Sequence, residues 1–336
     1  MRLKSSQLFL GVRKMSNSET QTRKICSKCN EPAIYKLPNM HLCKKHFISY
    51  FETKVYKTIK KFNLIEQNDR ICIATSGGKD SLAVLYTTMK YCKKYDIDFF
   101  ALAIDEGIAN YRDHTLRDLK KFCKEYKIKL NIISFEEYFG DKLDNITKKA
   151  MEKFNKKPCT VCGILRRFLL NKGAKDLKAT KLVTGHNLDD ESQAFMMNIL
   201  LGNMSHNASL GPKSGLNKDK KFVTRIKPLY LVTEKETRLF AFVKNFEVHF
   251  SECPNIHHSF RAEVRDKLND FENLRTGSKN GIVNSFLEIL PELKTKYKKE
   301  KSFRKCIICG EPSSKDKCNT CKLIEELGLK NKNKNN

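Results

Sequence analysis

A doubly wound parallel α/β sheet, flanked at each end by a small metal-binding knuckle, is the architecture this sequence predicts. Three observations predict it. Strand-like apolar runs alternate with helix-spaced segments through the middle of the chain. Glycines and polar side chains gather just after those runs, where open parallel sheets place their chemistry. Cysteines recur in pairs near both ends, at the spacing of zinc knuckles.

The chain has 336 residues, room for one sizeable α/β core with small appendages. Residues 1–23 read as a disordered leader. Leu8-Phe-Leu-Gly-Val12 is too short for a secretory apolar region. A mitochondrial presequence and an alternative start at Met15 both stay open. The first module covers 24–50. There Cys26-Ser-Lys-Cys29 is followed, after thirteen intervening residues, by Cys43-Lys-Lys-His46. Four soft ligands suit tetrahedral Zn²⁺, and so small a segment would take its folding energy from the metal. With every position filled, the site reads as structural.

The catalytic domain is placed at 51–265. Its first strand, Ile71-Cys-Ile-Ala-Thr75, runs into Ser76-Gly77-Gly78-Lys79-Asp80-Ser81, and a helical pattern (Leu82, Ala83, Val84, Leu85, Tyr86, Met89) begins at once. Backbone N–H groups, hydroxyls and a lysine thus meet at the positive end of a helix dipole, which makes a phosphate site. The glycines let the backbone approach the anion. The spacing is not the Walker pattern. Asp98–Ile104 reads as a strand ending at Asp105-Glu106-Gly107, Arg112–Lys127 as a helix and Leu130–Phe135 as a strand. Lys181–Thr184 is a further strand, ending at Gly185-His186-Asn187-Leu188-Asp189-Asp190, with a helix over Glu191–Leu201. Carboxylates opposite a phosphate loop suit Mg²⁺ or orientation of the attacked group. An aspartate there also suits a helix N-cap, and the two roles are compatible.

Residues 266–300 read as a helical connector. The second module, 301–325, pairs Cys306-Ile-Ile-Cys309 with Cys318-Asn-Thr-Cys321, with Gly310 just after the first knuckle. Residues 326–336, rich in lysine and asparagine, read as a disordered tail.

With 65 Lys and Arg against 38 Asp and Glu, the formal charge is +27. Such an excess repels itself unless a polyanion shares it, and nucleic acid is the leading partner. A lysine-rich genome decorating a solvated surface is the plainer explanation of part of it. No run of about 18 apolar residues exists, so a membrane span is not expected, and the protein is placed in the cytoplasm.

Six of the thirteen cysteines lie outside the knuckles. Cys72, Cys92 and Cys123 fall in apolar patterns and read as inert hydrophobes. Pro158-Cys159-Thr-Val-Cys162-Gly163 precedes a helical pattern that includes Arg166 and Arg167. A helix N-terminus and nearby cations should depress the thiol pKa. The pair reads as nucleophilic or metal-binding, with a thioredoxin-like couple or a third zinc knuckle as alternatives. Cys253, in Glu-Cys253-Pro, is the obvious third thiol. Three thiolates suit an Fe–S cluster with one iron left open.

These motifs occur in one order, with Arg225-Ile-Lys-Pro-Leu229 between the Gly185–Asp190 segment and Cys253. Together, over residues 24–325, they resemble the tRNA 2-thiouridine synthetases of the two-thiouridine synthetase A and cytosolic tRNA thiolation subunit 1 family. These are PP-loop ATP pyrophosphatases of the adenine nucleotide α-hydrolase-like type. The two flanking knuckles are the most discriminating part, since PP-loop enzymes in general lack them. The resemblance implies ATP over Ser76–Ser81, with Ala74, Asp105 and Gly185 along the nucleotide and Lys79 on the phosphates. It implies adenylation of uridine O2, release of pyrophosphate, sulfur attack at C2 and loss of AMP. Cys159, Cys162 and Cys253 match the ligands of a [4Fe–4S] cluster whose fourth iron would hold sulfide from a ubiquitin-like thiocarboxylate carrier. A persulfide on one cysteine fits the same thiols. Asp189 matches the family's catalytic acidic position, and Arg166, one turn after Cys162, can approach the reacting oxygen. The implied cofactors are ATP, Mg²⁺, two Zn²⁺ and one cluster. Eukaryotic-type members act at the wobble uridine of Lys, Glu and Gln tRNAs with a related, degenerate partner subunit, and the lysine- and asparagine-rich ends favour that branch. Archaeal and thermophilic relatives act in the T-loop as homodimers. Rival readings are a 2-thiocytidine synthetase, an amidating PP-loop enzyme and a non-catalytic tRNA-binding scaffold.

Overall fold

Strands covered on both faces need unbroken apolar runs, and such runs build the central sheet. The structure is a computed structural model. It describes residues 24–214, 223–248, 253–254, 260–298, 304–313 and 315–330. The leader expected at 1–23 therefore lies outside the described residues. Two compact units are distinguished, Met1–Phe47 and Ile48–Asn336.

In the first unit, β1 (Tyr35–Leu37) and β2 (Met40–Leu42) form an antiparallel hairpin. The helix α1 (Lys44–Lys61) starts immediately afterwards. The Tyr35 and Phe47 rings pack at 4.9 Å. The unit has little other apolar core, so metal ligation is its natural source of stability.

The second unit opens with β3 (Arg70–Ala74), α2 (Lys79–Lys94), β4 (Asp98–Asp105), α3 (Arg112–Glu125) and β5 (Leu130–Ser134). Three helices follow, α4 (Phe135–Phe139), α5 (Leu143–Phe154) and α6 (Pro158–Asp176), then β6 (Lys181–Val183) and α7 (Leu188–Leu200). Next come α8 (Met204–Asn207), the short β7 (Lys213–Ser214), β8 (Thr224–Ile226) and α9 (Glu234–Val243). The sheet order is β5-β4-β3-β6-β8-β7, parallel except for the β7 edge. The chain builds outward from β3 to β5, crosses back through α6, and restarts beside β3 at β6. The order thus reverses between β3 and β6, and a crevice opens at their carboxyl ends.

The expected strand over Leu130–Phe135 ends one residue earlier. Ser134 caps α4 instead, its Oγ accepting the Glu136 N–H at 3.2 Å. The Arg225-Ile motif forms β8, a strand that its neighbouring charges concealed. Cys72, Cys92 and Cys123 are buried, as expected.

The expected connector over 266–300 is part of the core. Helices α10 (Phe260–Leu274) and α11 (Ser278–Lys298) both pack on α7. Val264, Leu268, Val283, Phe286 and Leu290 supply the buried face, and the Phe286 and Phe195 rings meet at 4.6 Å. Residues 326–330, expected in the disordered tail, are ordered. After β9 (Arg304–Lys305) and β10 (Pro312–Ser313), α12 (Asn319–Leu327) runs through residues 326 and 327, and the Lys330 N–H donates to Phe139 O at 2.9 Å. Leu323, Ile324 and Leu327 join Val161, Leu165 and Leu169 of α6 in one buried cluster. Burial of that kind is worth about 1.5–3 kcal/mol per side chain at most. Residues 331–336 lie outside the described set. No helix among the described residues is long and apolar enough to cross a membrane.

Candidate active site

The loop after β3 turns at Gly77, whose φ is +88° and whose missing Cβ would lie 2.7 Å from Thr115 O. Only glycine meets both conditions. The N–H groups of Ser76 and Gly77 converge on Ser81 Oγ at 3.2 and 3.1 Å, and Gly78 forms the N-cap of α2. Two adjacent N–H groups at a helix N-terminus form an anion nest. Gly185, after β6, lies against this turn. A Cβ there would stand 3.1 Å from the carbonyl of Asp80.

A cavity of about 320 Å³ opens at the β3/β6 crevice. Of the residues expected at the nucleotide, Ala74, Ser76, Asp80, Ser81 and Gly185 line it, and so does Arg166. Asp105 does not; Ile104 and Glu106 on either side of it form the wall, and Asp105 Oδ1 accepts the Gly107 N–H at 3.0 Å. Lys79 and Asp189 line a neighbouring cavity of about 340 Å³, which shares Asp80 and Asp190 with the first. Burial raises the Asp80 carboxyl above its ordinary range; Lys79 opposes this and the like charge of Asp190 adds to it. Burial raises Asp190 likewise, against Arg261. Two partly desolvated carboxylates at a neck between cavities fit a divalent cation. Lys79 Nζ bridges Asp80 Oδ2 at 2.8 Å and Glu234 Oε1 at 2.9 Å.

The two aspartates expected after β6 take different positions. Asn187 is the N-cap of α7, and Asp190 completes a capping box with it. Asp190 Oδ1 also accepts from Arg261 at 2.8 Å. Asp189 faces inward, where Lys279 Nζ donates to Oδ1 and the Glu234 N–H to Oδ2 at 2.8 Å.

The cavity is cationic. Burial lowers the pKa of Arg167, with Arg166 adding to it, and burial with Arg167 lowers Arg225 to about 10. Like charges crowded at the lining of a cleft are relieved by a bound anion. His186 reaches the cavity yet is held neutral. Burial, then Lys227, Arg261, Arg225 and Arg166, bring it down to about 3.

Pro158 occupies the first turn of α6, as its fixed φ favours, and this sets Cys159 and Cys162 at the helix start. Cys162 and Cys253 pack against the same apolar cluster. The expected depression of the thiol pKa is not found at Cys162. Burial pushes it up to about 11, outweighing Arg166, while Glu106, Cys253 and Cys159 add to the rise. A thiol this reluctant to ionise is suited to a metal that draws off its proton. Cys162, in the field of Cys159, Cys253 and Arg166, fits one ligand of an Fe–S cluster held by the three thiols.

Both knuckles assemble. The ligand atoms of Cys26, Cys29, Cys43 and His46 all lie within 4.8 Å of one another, as do those of Cys306, Cys309, Cys318 and Cys321. Backbone N–H groups of Lys28 and Cys318 donate to Cys26 and Cys306 Sγ at 3.4 and 3.3 Å, which favours thiolates.

Glu106, Arg112 and Arg261 were not singled out from the sequence. Glu106 adjoins a residue that was, whereas Arg112 and Arg261 carry no local signal.

A family model for the PP-loop domain matches residues 49–271, and one for the N-terminal LIM domain of the 2-thiouridine synthetase TtuA matches 25–48. The chain is 35% identical over 314 residues to a tRNA-5-methyluridine(54) 2-sulfurtransferase of Pyrococcus horikoshii, covering 91% of this chain and 96% of that one. It is 35% identical over 324 residues to the cytoplasmic tRNA 2-thiolation protein 1 of Dictyostelium discoideum, covering 93% and 86%. Among solved structures it matches the U34-tRNA thiolase NcsA of Methanococcus maripaludis with its [4Fe–4S] cluster. There the TM-score is 0.76 and the identity 35%, over 92% of this chain and 98% of that one.

Proposed function

The chain belongs to the PP-loop tRNA 2-thiolation family and is a tRNA sulfurtransferase; from that premise we propose that it thiolates the wobble uridine of Lys, Glu and Gln tRNAs. The observation that carries this is that Arg166 lines the same cavity as Ser76, Asp80 and Ser81 of the anion nest and lies in the field of Cys162 and Cys253.

Uridine O2 attacks the α-phosphorus of ATP, the α–β bond breaks, and pyrophosphate leaves. Sulfur then adds at C2, and the C2–O bond breaks with AMP as leaving group. The nest and Lys79 bind phosphate oxygens. Asp80 and Asp190 would hold Mg²⁺ at the neck. Arg166, Arg167 and Arg225 offset the charge of the adenylate and of the tRNA backbone. Asp189, the acidic position expected to be catalytic, is given a supporting role by its pairing with buried Lys279 and with the Glu234 N–H. Cys159, Cys162 and Cys253 would hold a [4Fe–4S] cluster, which supplies an open iron for sulfide. Both knuckles would hold Zn²⁺. A ubiquitin-like thiocarboxylate carrier delivers the sulfur, a second subunit completes the assembly, and the reaction runs in the cytoplasm. In domain terms we retain zinc modules at 24–50 and around 301–325, and a PP-loop domain from 51 that extends through α10 and α11.

The wobble position is supported by likeness to the U34 thiolase. The Pyrococcus relative favours position 54 instead. Mass spectrometry of tRNA fragments from a depleted strain decides: loss of 2-thiouridine at position 34 is expected, and loss at position 54 alone overturns the assignment. Loss of 2-thiocytidine with intact 2-thiouridine would sink both. Anaerobic purification should yield about two zinc ions and one four-iron cluster per chain. Zinc alone with a persulfide would overturn the cluster.

A further inference from the structure

Glu106 follows β4 and is 5% exposed. Its two carboxylate oxygens face different halves of the site. Oε2 stands 3.0 Å from Arg112 Nε, and Oε1 stands 3.6 Å from Arg166 Nη1. Arg112 is 3% exposed, and its terminal nitrogens are spent on backbone. Nη1 donates to Ser76 O at 2.6 Å, and Nη2 donates to Ile104 O. Arg112 therefore ties the first residue of the phosphate loop to the end of β4. Arg166 lies on α6 one turn beyond Cys162, in the field of both Cys162 and Cys253.

A carboxylate is buried at such cost only when guanidiniums satisfy it. Here the two cations beside it are Arg112, on α3 and bonded to the ATP loop at Ser76 O, and Arg166, on the thiol helix. We infer that Glu106 is a positioning residue that holds the ATP loop and the sulfur-site arginine in one fixed relation, acting through Arg112 on one side and Arg166 on the other. The chemistry gives this a purpose. Adenylation at O2 and sulfur attack at C2 strike neighbouring atoms of one base, so an error of about 1 Å between the two halves would cost either step.

The inference rests on reading the cavity as the ATP site and Cys162 with Cys253 as the sulfur site. Its test separates the two. Binding of the non-cleavable analogue α,β-methylene ATP is measured by calorimetry on the full chain. If the wild-type protein does not bind it, the ATP reading itself fails. Glu106→Gln is expected to weaken the analogue about tenfold, because Arg112 loses its hold on the loop; unchanged affinity overturns the inference alone. The second readout is a double-mutant cycle on tRNA-dependent pyrophosphate release. Arg112→Lys and Arg166→Lys should each lower kcat/KM about tenfold, and the double variant little further, because both break one unit. Effects that multiply to about a hundredfold would overturn the inference, and a merely structural glutamate gives that result. In a Glu106→Gln background the coupling should vanish. The cycle is decided with Glu106 in place, so a Glu106→Gln chain that fails to fold leaves the outcome defined. Glu106→Asp, which keeps the charge but withdraws it by one methylene, should reproduce the lost coupling.

Discussion

Lys279 and Asp189 form an ion pair whose side chains are 8% and 9% exposed, joining the start of α11 to the start of α7. Lys279 also donates to Asn269 Oδ1, and its own N–H reaches Glu272 Oε2 at 2.9 Å. Removing one member of such a pair strands the other in the interior. Asp189→Asn should therefore destabilise the protein by about 3–5 kcal/mol. Asp190→Asn, whose partner Arg261 is 43% exposed, should cost under about 1 kcal/mol while abolishing pyrophosphate release. Urea unfolding beside a pyrophosphate assay checks both. An Asp189→Asn protein of normal stability would return Asp189 to the chemistry.

Gly185 tests how closely the two loops must approach. Gly185→Ala places a methyl 3.1 Å from Asp80 backbone, and neither loop can yield without opening the nest. The expected cost is about 1–3 kcal/mol, with ATP-analogue affinity reduced at least tenfold. Calorimetry on the variant reads this directly, and wild-type affinity would mean that the loops are not rigid.

His186 gives a pH signature. Its folded pKa is near 3, below its ordinary value of about 6.5. The unfolded chain takes up a proton that the folded chain refuses. This stability is therefore fully present above about pH 6.5 and is lost as pH falls toward 3. Asp80, Asp190 and Glu191, all raised by burial, run the other way on acidification. The difference between wild type and His186→Asn isolates the histidine. Wild type should lose ground between pH 6.5 and 4.5, by less than the roughly 1.4 kcal/mol per unit of a full proton, since the ring reaches solvent in the cavity. Parallel urea-midpoint curves across that range would contradict the assignment.

The C-terminal knuckle should steady the thiol helix. Glu311 accepts from Asn171 at 2.8 Å and pairs with Lys175 at 2.9 Å, both on α6, and Lys156 pairs with Glu326 at 2.6 Å. Cys309→Ser, or chelation, should speed amide exchange over residues 158–176 by tenfold or more while leaving β3 and β4 protected. Uniform exchange across the sheet, or none, would show that the module is not mechanically joined to α6.

Much of the site was legible because its chemistry is local. The nest at Ser76–Ser81, both knuckles and the Cys159–Cys162 pair each lie within a short segment, where spacing alone sets geometry. Asp105 shows the limit. Its neighbours Ile104 and Glu106 line the cavity and it does not, because successive strand residues point to opposite faces and nothing local says which face is the site. Cys162 shows another. A helix start predicts a lowered thiol pKa, but the amount of apolar surface folded over it set the direction.

The sequence by itself set three expectations: a phosphate loop at Ser76–Ser81, thiols as the sulfur site, and a polyanion as the partner. These follow from residue types at fixed short spacing and from net charge. Only the tertiary structure showed which carboxylate is paired in the interior and which lines both cavities. Asp189 and Asp190 are adjacent and chemically identical, and what separates them is Lys279, ninety residues away on a helix that burial of its apolar face brings back against α7.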